Sequence, residues 1–177
     1  MKGKSKFLLL VVGALIGVAG AVGYNVSMDM TSTDEFCLGC HNHKIPYDEL
    51  KKSAHFNNAS GVTAGCADCH LPYEFGPKLM RKIAASKEVW GHLTGIIDTD
   101  EKYLEHRDAM KQRELARMRA SDSAECRSCH NPERMNHEEQ SRAARKAHLK
   151  KSEGKTCIDC HDGIVHTPEA KEDDFDF

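Results

Sequence analysis

Four copies of one short pattern contain every cysteine in the chain. The pattern is Cys-x-x-Cys-His, and its copies occupy residues 37–41, 66–70, 126–130 and 157–161. Two cysteines at this spacing can form thioethers to the two vinyl groups of a porphyrin, and the histidine that follows can ligate the iron. Disulfides or zinc knuckles also use paired cysteines, but neither explains a histidine after every pair. The sequence therefore predicts four covalently bound haem c groups, numbered here in motif order.

The predicted thioether cysteines and motif ligands are Cys37, Cys40, Cys66, Cys69, Cys126, Cys129, Cys157 and Cys160, with His41, His70, His130 and His161.

The composition is too polar for an ordinary globular domain of 177 residues. The chain is 40% hydrophobic, 29% charged and 6% aromatic, with a mean hydropathy of −0.58. Such a chain buries too little side-chain surface to offset its conformational entropy unaided. We therefore expect a mainly α, haem-cored fold with little or no sheet. The net charge of −2 gives no indication of nucleic-acid binding.

The N-terminal segment has the pattern of a membrane anchor. A basic end at residues 1–6 precedes an uncharged run over residues 7–26, which is long enough to span a hydrocarbon core of about 30 Å. A cleaved signal peptide is the alternative, because Ala-Gly-Ala at 19–21 resembles a cleavage site, but the apolar run continues beyond it. A retained anchor is favoured. Basic residues before it and acidic ones after it predict a single-pass protein of the bacterial inner membrane with its haem domain in the periplasm.

The motif spacing indicates a duplicated unit. The first two motifs begin 29 residues apart and the last two begin 31 apart, with 60 between the pairs. We predict a haem domain over residues 27–167, with dihaem halves at 36–70 and 126–166 and a helical insertion at 71–125. Each half has one histidine between its motifs, His55 and His148, and this matching placement predicts two distal iron ligands, although surface histidines are the default. An acidic, disordered tail is expected at 168–177.

Several longer stretches carry a family resemblance. They include Gly-Val-Thr-Ala-Gly-Cys-Ala-Asp-Cys-His-Leu-Pro at 61–72, residues 76–88 and residues 156–166. With the anchor and the four motifs, they resemble the NapC/NirT/NrfH family of membrane-anchored tetrahaem quinol dehydrogenases, and the NapC and CymA branch more than NrfH. The resemblance implies that menaquinol or ubiquinol is oxidised and that electrons pass to a soluble periplasmic reductase or its cytochrome subunit, with nitrate reductase the first choice.

The resemblance also implies iron ligands. It assigns His148 to haem 2, His166 to haem 3 and His55 to haem 4. The family usually has a methionine ligand for haem 1 two residues after the first motif histidine, where this chain has His43. Either His43 takes that role, or His41 ligates in the ordinary way and His43 faces solvent.

The insertion is predicted to hold two helices. The first runs from about Pro77 to about Leu93 and is basic and amphipathic, which suits a membrane surface, although a solvated helix packed on haem has the same pattern. The resemblance places Lys82 and Glu88 of this helix in the quinol pocket beside haem 1. Quinol oxidation releases two protons, so a cation that binds the oxygen and a carboxylate base would serve it. The alternative is an ordinary surface charge pair.

The second helix is predicted to begin after an Asp98 N-cap and to end near Arg119. His92 and His106, in this part of the chain, are expected to be surface residues or haem-propionate partners, and His137 has no assigned role.

Three further functions remain as alternatives. A multihaem reductase of nitrite or hydroxylamine needs an iron with an open position. Of the 11 histidines, four belong to the motifs, and the other seven are enough to cap four irons, which argues against an open site. A membrane haem sensor would not need four haems, and a quinol dehydrogenase could serve several reductases.

Gly13 and Gly17 have the spacing of a helix-packing pair, which allows a homodimer.

Overall fold

The computed structural model describes residues 2–149 and 154–166, and no strand occurs in these two ranges. The expected mainly α fold is thereby confirmed. The predicted acidic tail at 168–177 lies outside the described residues. The α-helices are α1 (Lys2–Met30), α2 (Asp34–Cys37), α3 (Lys44–Lys52), α4 (Cys66–His70), α5 (Phe75–Leu93), α6 (Asp100–Ala120), α7 (Ala124–Cys129) and α8 (Arg142–Leu149). Short 3₁₀ helices occupy His41–His43, Pro132–Arg134 and Cys157–Asp159.

Helix α1 contains the predicted anchor. It has 29 residues, and at 1.5 Å per residue it is about 43 Å long, more than the hydrocarbon core requires. Its apolar window has a mean hydropathy of 2.3, and 0% of that window is buried inside the protein. An unburied helix of this hydropathy is not the core helix of a soluble domain, so α1 is able to cross a membrane as predicted.

The apolar core of the described residues is very small. Its buried side chains are Met28, Leu50, Leu115, Met118 and Ile158. Three of them, on α6 and in the fourth motif, form one cluster. A core of this size cannot hold the domain together, which agrees with the expectation that haem supplies most of its apolar interior.

Helix α5 lies close to its predicted limits. It begins at Phe75, two residues before the predicted proline, and ends at Leu93 as predicted. The ring of Phe75 lies 4.8 Å from that of Tyr24 on α1, measured between centroids. The N-terminal end of α5 therefore packs on the anchor helix.

The predicted N-cap of α6 was wrong by one residue. Thr99 is the N-cap, and its hydroxyl accepts the backbone N–H of Lys102. Asp98 instead accepts the Nζ of Lys102 at 2.7 Å. A threonine in extended conformation can reach the first turn of the helix, so the aspartate is left to pair with a side chain.

Two side chains join neighbouring motifs. Asp34 Oδ1 accepts the backbone N–H of Cys66 at 2.8 Å, which ties α2 to α4. Ser123 is fully buried in a left-handed conformation (φ 53°), and its hydroxyl accepts the N–H of Ile158 at 3.2 Å. The first contact connects motifs 1 and 2, and the second connects motifs 3 and 4.

Candidate haem-binding site

The motifs fold as single helical turns or short helices. Motif 2 is α4, motif 3 ends α7, and motif 4 begins in the last 3₁₀ helix. Residues three apart in a helix lie on the same face. The two cysteines of each helical motif can therefore bind one side of a porphyrin, with the histidine at the end of the turn.

Consecutive motifs are neighbours in space. Helix α2 contacts α4, and α4 contacts α7. A hydrogen bond with the Cys66 thiol lowers the pKa of Cys37 to about 7. Burial and then the charge of Cys126 raise the pKa of Cys69 to about 11, and burial followed by the charge of Cys157 raises the pKa of Cys126. A cysteine of each motif is therefore close enough to one of the next motif to affect its pKa, in the order 1, 2, 3, 4.

Three motif histidines each lie beside a second imidazole. The centroid distances are 6.1 Å for His70 and His166, 6.1 Å for His130 and His55, and 6.2 Å for His161 and His148. Imidazole nitrogen binds a first-row metal at about 2.0–2.1 Å, and half a ring on either side brings the two centroids to about 6 Å. The spacing of all three pairs therefore fits two imidazoles on one iron.

The pairs differ from those that the resemblance implies. His55, His148 and His166 all lie beside a motif histidine, but in each case it belongs to another motif than expected. His148 is in the last turn of α8, which leads into motif 4 within its own half. His166 follows motif 4 and reaches back to Glu49 on α3, which brings it to motif 2. The halves exchange His55 and His166, whereas His148 stays in its own half.

Both imidazoles beside motif 2 are held by carboxylates. His70 Nδ1 lies 2.9 Å from Glu114 Oε1, and His166 Nδ1 lies 3.3 Å from Glu49 Oε2. Burial alone would raise the pKa of Glu114, but hydrogen bonds from His70 and Arg117 outweigh it and lower the pKa to about 2. An imidazole that donates its Nδ1–H to a carboxylate presents Nε2 to a metal, the usual arrangement around metal-ligating histidines.

The other two pairs have weaker support. His148 Nδ1 lies 2.8 Å from the neutral amide oxygen of Gln140, which also lies 3.4 Å from His137 Nδ1. His55 Nδ1 is buried without a hydrogen-bond partner in the described residues. Burial, and next the charge of His130, lower the pKa of His55, which keeps its imidazole neutral, as ligation requires.

The first motif has a different arrangement. His43 is half-buried, and its Nδ1 lies 2.6 Å from the carbonyl oxygen of Cys37. This contact favours the ligand alternative for His43 over the solvent-facing one, because it leaves Nε2 for a metal. The side chain of His41 lies outside the described part of the structure. Asn42 is 1% exposed and donates to the Ile97 carbonyl at 2.6 Å.

Lys82 lies at the end of the anchor helix. Its Nζ donates to the carbonyl of Met28 at 3.1 Å and to the hydroxyl of Thr31. Burial, and then the charge of Lys78, lower the pKa of Lys82, and the charge of Cys37 in motif 1 partly opposes this effect.

Glu88 is not joined to Lys82 by any of these contacts. Its side chain is 47% exposed and lies 3.9 Å from Arg81 Nη2. Residues six apart in a regular helix point about 120° away from each other, which explains the separate partners.

A cleft of about 360 Å³ lies away from Lys82 and Glu88, between residues 72–74 and 121–128. His106 Nδ1 contacts the Lys102 carbonyl at 2.9 Å, and His92 Nδ1 is buried with no partner in the described chain.

Sequence reasoning missed Glu49, Glu114 and Gln140, because nothing in the local pattern distinguishes them from surface residues. Their contacts to histidines span 117, 44 and 8 residues of chain. Only the contact of Gln140 with His148 is local, because Gln140 lies two residues before α8, which carries His148. The two carboxylates could not have been found without the fold.

The cysteine pairs, the facing imidazoles and the unburied apolar helix together define a c-type cytochrome with an N-terminal membrane anchor. A family model described as the NapC/NirT cytochrome c family, N-terminal region, matches residues 1–171. The chain is 48% identical to the cytochrome c-type protein NapC of Haemophilus influenzae over 159 residues, covering 89% of this chain and 79% of that protein.

Two other relatives are of similar length. The denitrification system component NirT of Stutzerimonas stutzeri is 44% identical over 160 residues, covering 89% of this chain and 80% of that protein. A putative tetraheme cytochrome-c type protein of Allochromatium vinosum is 42% identical over 172 residues, covering 96% and 94%. No solved structure matches. The chain belongs to the NapC/NirT cytochrome c family, whose members carry covalently bound haem c.

Proposed function

We propose that this chain oxidises quinol at the end of its membrane anchor and delivers the electrons to a soluble periplasmic reductase. One observation carries the proposal. The motifs follow one another in space from motif 1, which lies within electrostatic reach of Lys82 at the end of α1, to motif 4. A row of redox groups that begins at a membrane anchor suits electron transfer away from the membrane.

The proposed cofactors are four haem c groups, each bound by the two cysteines of one motif. When bound, they supply one-electron carriers. The facing imidazoles would hold the irons, namely His70 with His166, His130 with His55 and His161 with His148, and His43 would serve haem 1. Two imidazoles for one iron in three of the pairs would leave no open iron there, which supports electron transfer rather than reduction of a small molecule.

Lys82 is proposed to bind the quinol oxygen. Its Nζ already donates to oxygens at the end of α1, and a quinol at the membrane surface could replace one of these acceptors. Its partial burial strengthens a charged hydrogen bond to a ligand. Glu88, exposed on the same helix, is proposed to accept a proton and pass it to solvent.

The orientation and the partner are also proposals. Lysines before the apolar run of α1 and acidic residues after that run favour a cytoplasmic N-terminus and a periplasmic haem domain at the inner membrane. Relatives named NapC and NirT support a reductase of nitrogen-oxide respiration as the acceptor, with the nitrate reductase system our first choice. A homodimer through Gly13 and Gly17 remains a prediction.

Replacing Lys82 by glutamine tests the quinol site. In proteoliposomes supplied with menaquinol or ubiquinol analogues, the rate of haem reduction should fall roughly 10-fold or more, because a charged hydrogen bond is worth about 1.5–3 kcal/mol. Reduction by dithionite should be complete in both proteins. Lys87→Gln, an exposed lysine of the same helix, is the matched control. Equal quinol rates in Lys82→Gln and Lys87→Gln would refute the assignment.

A further inference from the structure

We infer that Glu114 and Glu49 are positioning residues that hold the two imidazoles that would ligate haem 2, and that they lower its reduction potential relative to haems 3 and 4. The inference rests on the proposed function, in which His70 and His166 are the ligands of that haem. It concerns how the chain tunes one member of its row of redox groups.

Glu114 is held firmly in place. Its Oε1 accepts from Arg117 Nε at 3.1 Å and from Nη2 at 2.9 Å, and its Oε2 accepts from Arg81 Nη2 at 3.4 Å. Its side chain is only 19% exposed. The carboxylate therefore keeps its orientation towards His70 Nδ1, 2.9 Å away.

Glu49 is held in a similar way beside His166, the second imidazole of this pair. Both of its oxygens accept from Arg107 Nη2, at 2.7 and 2.8 Å, and its side chain is 13% exposed. The contact to His166 Nδ1 is longer, at 3.3 Å. Each of these two imidazoles therefore faces a carboxylate that also accepts hydrogen bonds from an arginine.

The carboxylates distinguish this pair from the other two. His148 faces the neutral amide of Gln140, and His55 Nδ1 has no partner in the described residues. A carboxylate that accepts an imidazole N–H makes the ligand more basic. A more basic ligand stabilises ferric over ferrous iron, so the potential falls. The effect should be larger on haem 2 than on haems 3 and 4.

Helix α6 makes the arrangement possible. It carries Glu114 itself and Arg107, which holds Glu49. These two positions are seven residues apart, about two turns, and so lie on one face of the helix. One face of the insertion thereby reaches both ligands of the same haem.

The test uses the full-length holoprotein in detergent. Spectroelectrochemical titration, resolved by electron paramagnetic resonance, gives the potential of each haem in Glu114→Gln, Glu49→Gln and the wild type. Glutamine keeps a hydrogen-bond acceptor but removes the charge. Each change should shift the ferric–ferrous equilibrium of one haem roughly tenfold towards ferrous iron, about 59 mV upwards. Glu105→Gln, an exposed glutamate on the same helix, should shift none.

A further variant identifies the haem concerned. His166→Ala should convert one low-spin haem to high spin, and the potential lost from the low-spin set is that of haem 2. If no haem changes spin state, the ligand assignment in the proposed function fails. If one does, but neither glutamine variant moves its potential, only the present inference fails. Shifts of equal size on all four haems would also overturn it. Should Glu114→Gln not mature, the result for Glu49→Gln decides.

Discussion

Replacing Arg117, a largely buried arginine of α6, by alanine should destabilise the haem domain much more than replacing the exposed Arg119. The guanidinium joins two carboxylates, because Nη1 donates to Glu125 Oε1 at 2.6 Å while Nε and Nη2 donate to Glu114. Nη2 also lies 3.4 Å from the carbonyl of Cys69. The substitution therefore removes contacts to motif 2 and to the residue before motif 3.

The size of the destabilisation depends on the hydrogen-bond partners that each carboxylate keeps when Arg117 is removed. Glu114 keeps His70 and Arg81 as partners. Glu125, with a side chain only 2% exposed, keeps the hydroxyl of Ser121 at 3.4 Å. Removing one partner of a buried ion pair costs about 3–5 kcal/mol, because the remaining charge is left uncompensated. For a domain of this size, that corresponds to a fall in Tm of about 6–20 °C.

Arg119→Ala is the matched control, two residues further along the helix. Arg119 pairs with Asp159 at 2.7 Å, but its side chain is 42% exposed and Asp159 also accepts from Thr156. An exposed pair is worth about 0.2–1 kcal/mol, so the fall in Tm should be no more than about 4 °C.

Thermal unfolding of the two holoproteins, followed by far-ultraviolet circular dichroism, makes the comparison. The double variant Arg117→Ala with Glu125→Gln should recover part of the loss, because a neutral amide needs no cation. If Arg117→Ala costs no more than Arg119→Ala, or if the second change gives no recovery, the uncompensated charge is not the cause and the reasoning is refuted.

Three further substitutions test other contacts. Ser123→Ala should cost about 1–3 kcal/mol in thermal unfolding, because the buried N–H of Ile158 loses its acceptor, and an unchanged Tm would contradict this. Gly65→Ala should cost about 0.5–2 kcal/mol, since a Cβ there would lie 2.8 Å from Asp34 Oδ1 and push that carboxylate away from the N–H of Cys66, whereas Gly76→Ala, where nothing lies within 4 Å, should be neutral or stabilising. His43→Ala should alter the absorption and magnetic circular dichroism of haem 1 alone if His43 ligates its iron, and identical spectra would return the assignment to His41.

The sequence predicts which residues can bind haem better than it predicts which histidines lie beside which motif. The four motifs, the anchor and the C-terminal end of α5 follow from local patterns, namely fixed cysteine spacing, an uninterrupted apolar run and amphipathic periodicity. The histidines available as distal ligands also follow, because little else in a polar chain can cap an iron. The pairing of these histidines with motifs does not follow from the sequence. His166 lies beside His70 of motif 2 and contacts Glu49, and both residues are far from it in the chain.

The predicted duplication accounts for only part of the contacts between the motifs, and the insertion contributes others. A duplication alone would predict two dihaem units, each complete in itself, but only His148 stays beside a motif of its own half. Helix α6 contacts both halves, through Glu114 at His70 and through Leu115 and Met118, which cluster with Ile158 of motif 4. In the described residues the apolar core is otherwise very small, so this helix adds a link between the halves beside the direct contact of α4 with α7. A segment that interrupts the predicted repeat therefore helps to hold its two halves together.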